Sequence, residues 1–368
     1  MLTSKTWNDA DSTAAYYLDS EQVDQVNHAV WFGKTCGFLP DWPERVDSEN
    51  LMHLLEPAFA SPLRSHRKPA IDLAFTAPKP VSVLAALTDA PKREAIIHAH
   101  LEAVRKAMTR IETEYAMVKL TAAKAQEIIK ATDGRVRAIR LAPSQRKSPP
   151  SKDKDPEKEQ VYLRTHNLAA ALFTHFCARP VDGEPDPNLH THCLIPRITQ
   201  RGDGEWGTLF INVDTKAPEV NRPYGDTLLD GLKKLGISAR SSTTLGIEIP
   251  GISNDLLDAF SRRSRKIGVT CEAYDRSDAG GEPSPAEKRL AALFTREAKG
   301  DVPWTERIPG WRRRAISVVA GTQIEAMRGM LSDAHTQELW ERLWASWEIP
   351  QQARSADPAP KTGIFPQR

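Results

Sequence analysis

The sequence predicts an α+β fold built on an antiparallel sheet, and three observations carry that prediction. Strand-like segments come first and helical ones later, without strict β-α-β alternation. Two apolar runs, 162–177 and 189–199, flank a Pro-, Gly- and Asp-rich connector at 179–187, which reads as a hairpin. From about residue 215 the pattern turns mostly helical.

Taken in order, residues 11–18 suit a short helix that places Tyr16 and Tyr17 near the start of the chain. Residues 40–69 are rich in Pro, Ser and charge, with one apolar piece at 51–55. Residues 71–76 read as a strand halted by Ala77-Pro78-Lys79-Pro80, and a helix is expected to begin over 81–87. The clearest helix is 92–117, where Ile97, Leu101, Val104, Met108, Ile111 and Tyr115 form one apolar stripe. Asp133-Gly134 signals a turn into a strand at 135–141. The charged, Pro/Ser-rich insert 143–160 has nothing to bury and is expected to be mobile. After the hairpin, Gly202-Asp203-Gly204 turns the chain into a strand at 206–210. Helices follow at about 215–235, 253–267 and 285–299, the last opened by the capping box Ser284-Pro285-Ala286-Glu287. The tail 351–368 is expected to be disordered.

The 368 residues, 40% hydrophobic and 27% charged, suit one large domain or a domain with an appendage. A net charge of +2 excludes a pervasively basic surface, although one basic groove remains compatible with it. Cys36, Cys177, Cys193 and Cys271 form no CxxC pair, which argues against a zinc finger and for free thiols in a reducing compartment. The first residues lack a basic and an apolar region, and no run of about 18 apolar residues occurs, so neither a leader nor a membrane span is expected. The expected location is cytoplasmic.

Leu189-His190-Thr191-His192-Cys193-Leu194 carries the chemistry. Strand alternation puts His190 and His192 on one face, near enough for both imidazoles to hold one ion. His175 on the preceding run is a third candidate ligand. Three imidazoles leave coordination positions open, as catalytic sites do. An isolated H-x-H pair also serves merely to set two polar rings on a wet sheet face. Asp72 suits either the second nitrogen of a ligand histidine or the proton of a nucleophile, and its other use is to satisfy a turn. In the pair Tyr16-Tyr17, neighbours on a helix point about 100° apart, so one alone can face a site. A tyrosine can attack phosphorus and store the bond as a phosphotyrosine ester. Two further motifs are set aside. Gly33-Lys34-Thr35 lacks the first glycine of a phosphate loop, His28 standing there, and Arg312-Arg313-Arg314 reads as a solvated helix face.

The order of these motifs resembles a known family. Tyr16-Tyr17 is followed by Asp72-Leu73-Ala74-Phe75-Thr76-Ala77-Pro78-Lys79-Pro80-Val81-Ser82-Val83. Then come Phe173-Thr174-His175 and Asp186-Pro187-Asn188-Leu189-His190-Thr191-His192. This series resembles the relaxase domain of MobF-family (TrwC/TraI-type) conjugative relaxases, members of the HUH endonuclease superfamily. Their signatures read DLTFSAPKSVS and DPxLHTH. Further matches at 165–168, 221–224, 245–249, 256–261 and 286–299 extend the resemblance over about residues 10–315.

The resemblance implies a central five-stranded antiparallel sheet with helices packed on it. Residues 1–212 would form a palm carrying the nucleophile and the metal site, and 213–350 a helical fingers part of the same domain. It implies that Tyr16 attacks the scissile phosphate at a plasmid nic site, leaving a 5′-phosphotyrosine and a 3′-hydroxyl that later religate. His175, His190 and His192 would hold a divalent metal, Mg²⁺ or Mn²⁺ being expected and softer transition metals also suiting imidazole. Asp72 would orient a ligand histidine or assist Tyr16, and Tyr17 would be an auxiliary catalytic residue. The implied partners are single-stranded DNA at an origin of transfer with a hairpin, accessory relaxosome proteins, a coupling protein and a separate helicase.

Four departures stand out. Residues 22–30 lack the family's second tyrosine pair, the His175–His190 loop is longer than usual, Pro80 replaces a serine, and no helicase segment follows. Two rival readings use the same residues: a rolling-circle replication initiator of the superfamily, and a three-histidine metal hydrolase without a covalent intermediate. A DNA-binding module with a degenerate histidine cluster is a third.

Overall fold

The computed structural model describes residues 2–18, 25–26, 29–39, 41–56, 69–134, 136, 138–139, 160–214, 218–244, 246–274, 283–298 and 302–319. The chain opens with β1 (Leu2–Thr6), α1 (Ala10–Leu18), β2 (Val30–Phe32) and α2 (Ser48–Leu55). Next come β3 (Ala70–Thr76), α3 (Lys79–Leu87), α4 (Ala90–Tyr115), β4 (Ala116–Thr121), α5 (Ala122–Ala131) and β5 (Ala138–Ile139). The strand-rich middle is β6 (Gln160–Arg164), β7 (Ala170–Cys177), β8 (Pro187–Pro196), β9 (Ile198–Gln200) and β10 (Trp206–Ile211). Then follow α6 (Pro218–Lys234), β11 (Arg240–Ser242), β12 (Gly246–Glu248), α7 (Asn254–Ala259), α8 (Arg262–Tyr274), α9 (Pro285–Phe294) and α10 (Ile308–Val319).

The expected five-stranded antiparallel sheet is present in the order β1-β3-β8-β7-β2, with β8 in its centre. A second five-stranded antiparallel sheet, β5-β6-β4-β10-β9, stands beside it. On one face of the first sheet Leu73 and Phe75 of β3, Leu172 and Phe176 of β7, and Leu189 and Cys193 of β8 enter the main core. Leu84 and Leu87 of α3, Ile96 and Met108 of α4, Leu228 and Leu232 of α6, and Trp311 and Ala315 of α10 complete that core. Each such Leu, Ile, Met or Phe side chain, fully buried, contributes about 1.5–3 kcal/mol. The other face is partly covered by α1 and α2: Ala14, Tyr17 and Leu51 pack on Ala171, Phe173 and Leu194.

The helix α4 starts two residues before its expected beginning because Asp89 caps it, accepting from the Lys92 amide. Its stripe is buried as expected at Ile97, Val104, Met108 and Ile111. The helix ends at Tyr115, because residues 116–121 join the second sheet as β4.

Several expectations are corrected. The run 162–177 is two strands in different sheets, β6 and β7. The break between them is built by His166, at φ 56°, and by Asn167. The Asn167 side chain accepts from Thr35 Oγ1, Thr199 Oγ1 and the Gln200 amide and donates to the Thr165 and Gln200 carbonyls. The run 189–199 is divided in the same way into β8 and β9. The helix expected at 253–267 is α7 and α8, separated at Phe260-Ser261. Of the expected strand 135–141, residues 138–139 are paired as β5. The insert up to residue 159, the tail 351–368 and residues 320–350 lie outside the described residues.

Candidate metal and nucleophile site

The open face of the first sheet gathers the residues singled out above. On β8, His190 and His192 alternate with the buried Leu189, Thr191 and Cys193, so both imidazoles leave the same face. On β7, His175 follows Ala171 and Phe173 on that face and lies directly across from His190 in the strand register. The ring centroids are 5.4 Å apart for His175–His190, 5.7 Å for His175–His192 and 5.2 Å for His190–His192. An ion about 2.1 Å from each ligating nitrogen lies about 3.2 Å from each centroid, which puts rings at the tetrahedral angle about 5.2 Å apart. The strand pairing therefore supplies a ligand set's spacing. Among the described residues no three His, Cys, Asp or Glu side chains are converged as a closed ligand set.

Hydrogen bonds to the rear nitrogens select the tautomer. The His192 Nδ1–H donates to Asp72 at 2.9 and 3.0 Å, and the His190 Nδ1–H donates to the Asn188 carbonyl at 2.7 Å. Each puts the ring proton on Nδ1 and leaves Nε2 as the acceptor nitrogen, the tautomer in which ligand histidines are held. Imidazole nitrogens are the donor type that suits a divalent transition-type ion.

Asp72 is itself 4% exposed, and it is held by a second donor: the Tyr17 hydroxyl, at 2.7 Å. The Tyr17 ring stacks on Phe173 and meets His192 edge-on, and it is 1% exposed. Burial, reinforced by the Asp72 charge, pushes the Tyr17 phenol well above its usual range. Of the two roles foreseen for Asp72, the structure favours the histidine partner, and the tyrosine it meets is Tyr17. Tyr16 is half-buried, its ring against Trp7 at 5.1 Å and Tyr17 at 4.9 Å. The ammonium of Lys5 lies 3.5 Å over the Trp7 ring and 5.7 Å from the centroid of Tyr16. Sequence reasoning passed over Lys5, because only the pairing of β1 with β3 brings it to this corner.

The motif around Asp72 and the motif around His190 clamp one another. Lys79 Nζ donates to the Pro187 carbonyl at 2.8 Å, and the Leu189 amide donates to Ser82 Oγ at 3.0 Å. Asp186, 3% exposed, accepts from the Arg262 amide and Nε, both at 2.9 Å, and from Arg314 Nη1 at 2.8 Å. Arg314 also reaches Glu184, Arg312 Nη2 donates to the Thr88 carbonyl, and the Trp311 indole donates to the Pro185 carbonyl. The Arg312-Arg313-Arg314 run is therefore not simply a solvated face: two of its three members are half-buried and bonded. The long β7–β8 loop is further held by Glu297, which accepts from the Asp182 and Gly183 amides. Gly33-Lys34-Thr35 is a structural corner: Lys34 N donates to Glu112, and Gly33, at φ 106°, lies under the Leu168 carbonyl.

Three imidazoles on one face of an antiparallel sheet, a carboxylate behind one of them and a tyrosine pair on the helix above define the class: a relaxase catalytic domain. The chain belongs to the TrwC relaxase family, whose model matches residues 3–149 and 151–318. It is 28% identical over 332 residues to the multifunctional conjugation protein TraI of Escherichia coli K12, an alignment covering 84% of this chain. The chain spans 16% of the length of that relative. Among solved structures it is similar to the metal-bound conjugative relaxase TrwC in complex with OriT DNA. There the TM-score is 0.64, with 24% identity over 87% of this chain and 99% of that one. TrwC complexed with a 27-mer DNA comprising the recognition hairpin and the cleavage site gives a TM-score of 0.63 at the same identity and coverage of this chain.

Proposed function

We propose that this domain nicks and rejoins one strand of DNA at an origin of transfer, with Tyr16 as nucleophile. The observation that carries this reading is the meeting of His175, His190, His192 and Asp72 on one sheet face beneath a helix that presents Tyr16 at its rim. His175, His190 and His192 would hold a divalent ion, Mg²⁺ or Mn²⁺. Such an ion, when bound, polarises the non-bridging phosphate oxygens and steadies the charge of in-line displacement. Asp72 keeps His192 in the tautomer with a free Nε2, and the Tyr17 hydroxyl fixes Asp72. Tyr17 is thus a positioning residue, too deeply buried to reach a phosphate. The Tyr16 oxygen attacks the phosphorus, the P–O bond to the 3′ oxygen breaks, and a 5′-phosphotyrosine and a 3′-hydroxyl result. Attack by a 3′-hydroxyl on that ester reverses the step and releases Tyr16.

The substrate is single-stranded plasmid DNA with a neighbouring hairpin. The solved TrwC complexes contain OriT DNA and, in one case, the recognition hairpin, which supports this substrate. Among the described residues no helix is long and apolar enough to cross a membrane. We place the reaction in the cytoplasm, with accessory relaxosome proteins and a coupling protein as partners.

The test incubates the protein with single-stranded origin DNA and Mn²⁺ or Mg²⁺ and runs a denaturing gel. A protein–DNA adduct formed by the parent chain and by Tyr17→Phe, and lost in Tyr16→Phe, is the expected result. Cleavage that persists in Tyr16→Phe without any adduct would replace the tyrosine mechanism by a metal-bound hydroxide.

A further inference from the structure

The sheet face turned away from the imidazoles carries a buried chain of four polar side chains. His100 on α4 is 0% exposed; its Nδ1 lies 2.8 Å from the Tyr224 hydroxyl and its Nε2 2.9 Å from Thr191 Oγ1. Thr191 Oγ1 is in turn 2.9 Å from Thr174 Oγ1. Burial holds the imidazole's pKa down to about 3, so the ring is neutral and offers one donor and one acceptor. The surroundings are apolar, with Leu172, Phe176, Leu189 and Cys193 in the same core. Polar groups in such a place cost free energy unless each is bonded, and here each is bonded to the next.

The chain ends beneath the metal-site strands. Thr191 stands between His190 and His192, and Thr174 precedes His175 and pairs with Thr191 in the register. Successive side chains leave a strand on opposite sides, so a bond that fixes Thr191 from below also fixes the backbone on either side of it. That backbone carries both imidazoles of β8, and the Thr174–Thr191 bond ties it to the strand carrying the third.

We propose that His100 is a positioning residue for the metal site, acting through Thr191 and Thr174 to set the spacing of His175, His190 and His192. This rests on the reading of those histidines as ligands. The three rings stand on two strands whose backbone ladder fixes register but leaves twist adjustable. The chain from Tyr224 through His100 to both threonines removes that freedom at the level of the rings.

The test compares Thr191→Val, which replaces the hydroxyl by a methyl in the same outline, with Thr191→Ser, which keeps the hydroxyl. Tyr224→Phe serves as a variant at the far end of the chain, remote from every ligand. Mn²⁺ binding is titrated by calorimetry, and the imidazole ¹H–¹⁵N resonances of the metal-free protein are recorded with the thermal midpoint. Thr191→Val is expected to bind Mn²⁺ about tenfold more weakly and to shift the resonances of His175 and His190. Thr191→Ser should match the parent in both, and Tyr224→Phe should show a smaller change of the same sign. Parent-like Mn²⁺ affinity and imidazole spectra in folded Thr191→Val and Tyr224→Phe would overturn the proposal. If Thr191→Val does not fold, Tyr224→Phe decides. Absence of Mn²⁺ uptake by the parent chain would sink the ligand reading instead, and the imidazole spectra would still judge whether His100 positions the rings.

Discussion

Replacing Asp186 by alanine removes the acceptor on which three donors converge. The Arg262 amide and Nε, and Arg314 Nη1, lose a carboxylate that is 3% exposed. Taking one partner out of a buried ionic cluster costs about 3–5 kcal/mol, because charge is left buried and uncompensated. Glu184 remains within 3.3 Å of Arg262 and 2.6 Å of Arg314 but faces solvent, so it offsets a minor part. The lower end, about 3 kcal/mol, is the expected loss, equivalent to a fall of roughly 5 °C in melting temperature for a domain of this size. Urea and thermal unfolding of Asp186→Ala measure it. Adding Arg314→Met to that variant should recover part of the loss, since it withdraws one of the stranded cations. A loss below about 1 kcal/mol, or a further loss on adding Arg314→Met, would refute the view of Asp186 as a buried keystone and make the cluster a solvated surface network.

Other expectations follow from the same geometry. Burial lowers the Lys79 ammonium to a pKa of about 8, with Arg314 and Arg262 adding to the effect and Asp186 opposing it. The unfolded chain then binds the proton more tightly between about pH 8 and 10.4, so stability rises with pH through that window by up to roughly 3 kcal/mol. Urea midpoints at pH 7.5 and 10 should show this rise in the parent and a flatter profile in Lys79→Met. Gly33→Ala places a Cβ 2.1 Å from the Leu168 carbonyl oxygen at a φ of 106°, and a loss of about 3 kcal/mol or insoluble protein is expected on expression. Asp72→Asn keeps the shape beside His192 but removes the charge behind its Nδ1–H; Mn²⁺ affinity in calorimetry should fall ten- to a hundredfold, roughly the cost of losing such a partner. An unchanged affinity there would separate Asp72 from the metal site.

The parts legible in the sequence are those set by a local pattern. The stripe of α4 and the H-x-H alternation on β8 follow from spacing, the strand 71–76 from its composition and the Ala77-Pro78-Lys79-Pro80 stop, and the structure keeps them. What escaped depends on distant partners. The apolar run 162–177 has no local sign of its break, because Asn167 makes that break by bonding Thr35 and Gln200, far off in the chain. β1 carries one buried apolar residue, Leu2, in the string LTSKT and acquires its identity only by pairing with β3. Helical geometry says that one tyrosine of the pair turns inward, but not which one; the Asp72 carboxylate decides for Tyr17. Arg314 looked like a surface charge because its partner Asp186 lies 128 positions away.

The place of β8 in the first sheet has a consequence for how the chain is made. It is the central strand, and both neighbours, β3 and β7, leave the ribosome before it. Asp72 must wait for His192, 120 residues later, before its side is closed. Until then β3 presents an unpaired apolar edge to whatever is nearby, a hazard for nascent chains. The imidazole cluster therefore assembles in the same event that seals the sheet, and closing so long a loop makes that event a slow one. Synonymous codons or pauses that delay residues 187–196 should raise aggregation in the cell without altering a single side chain of the finished protein.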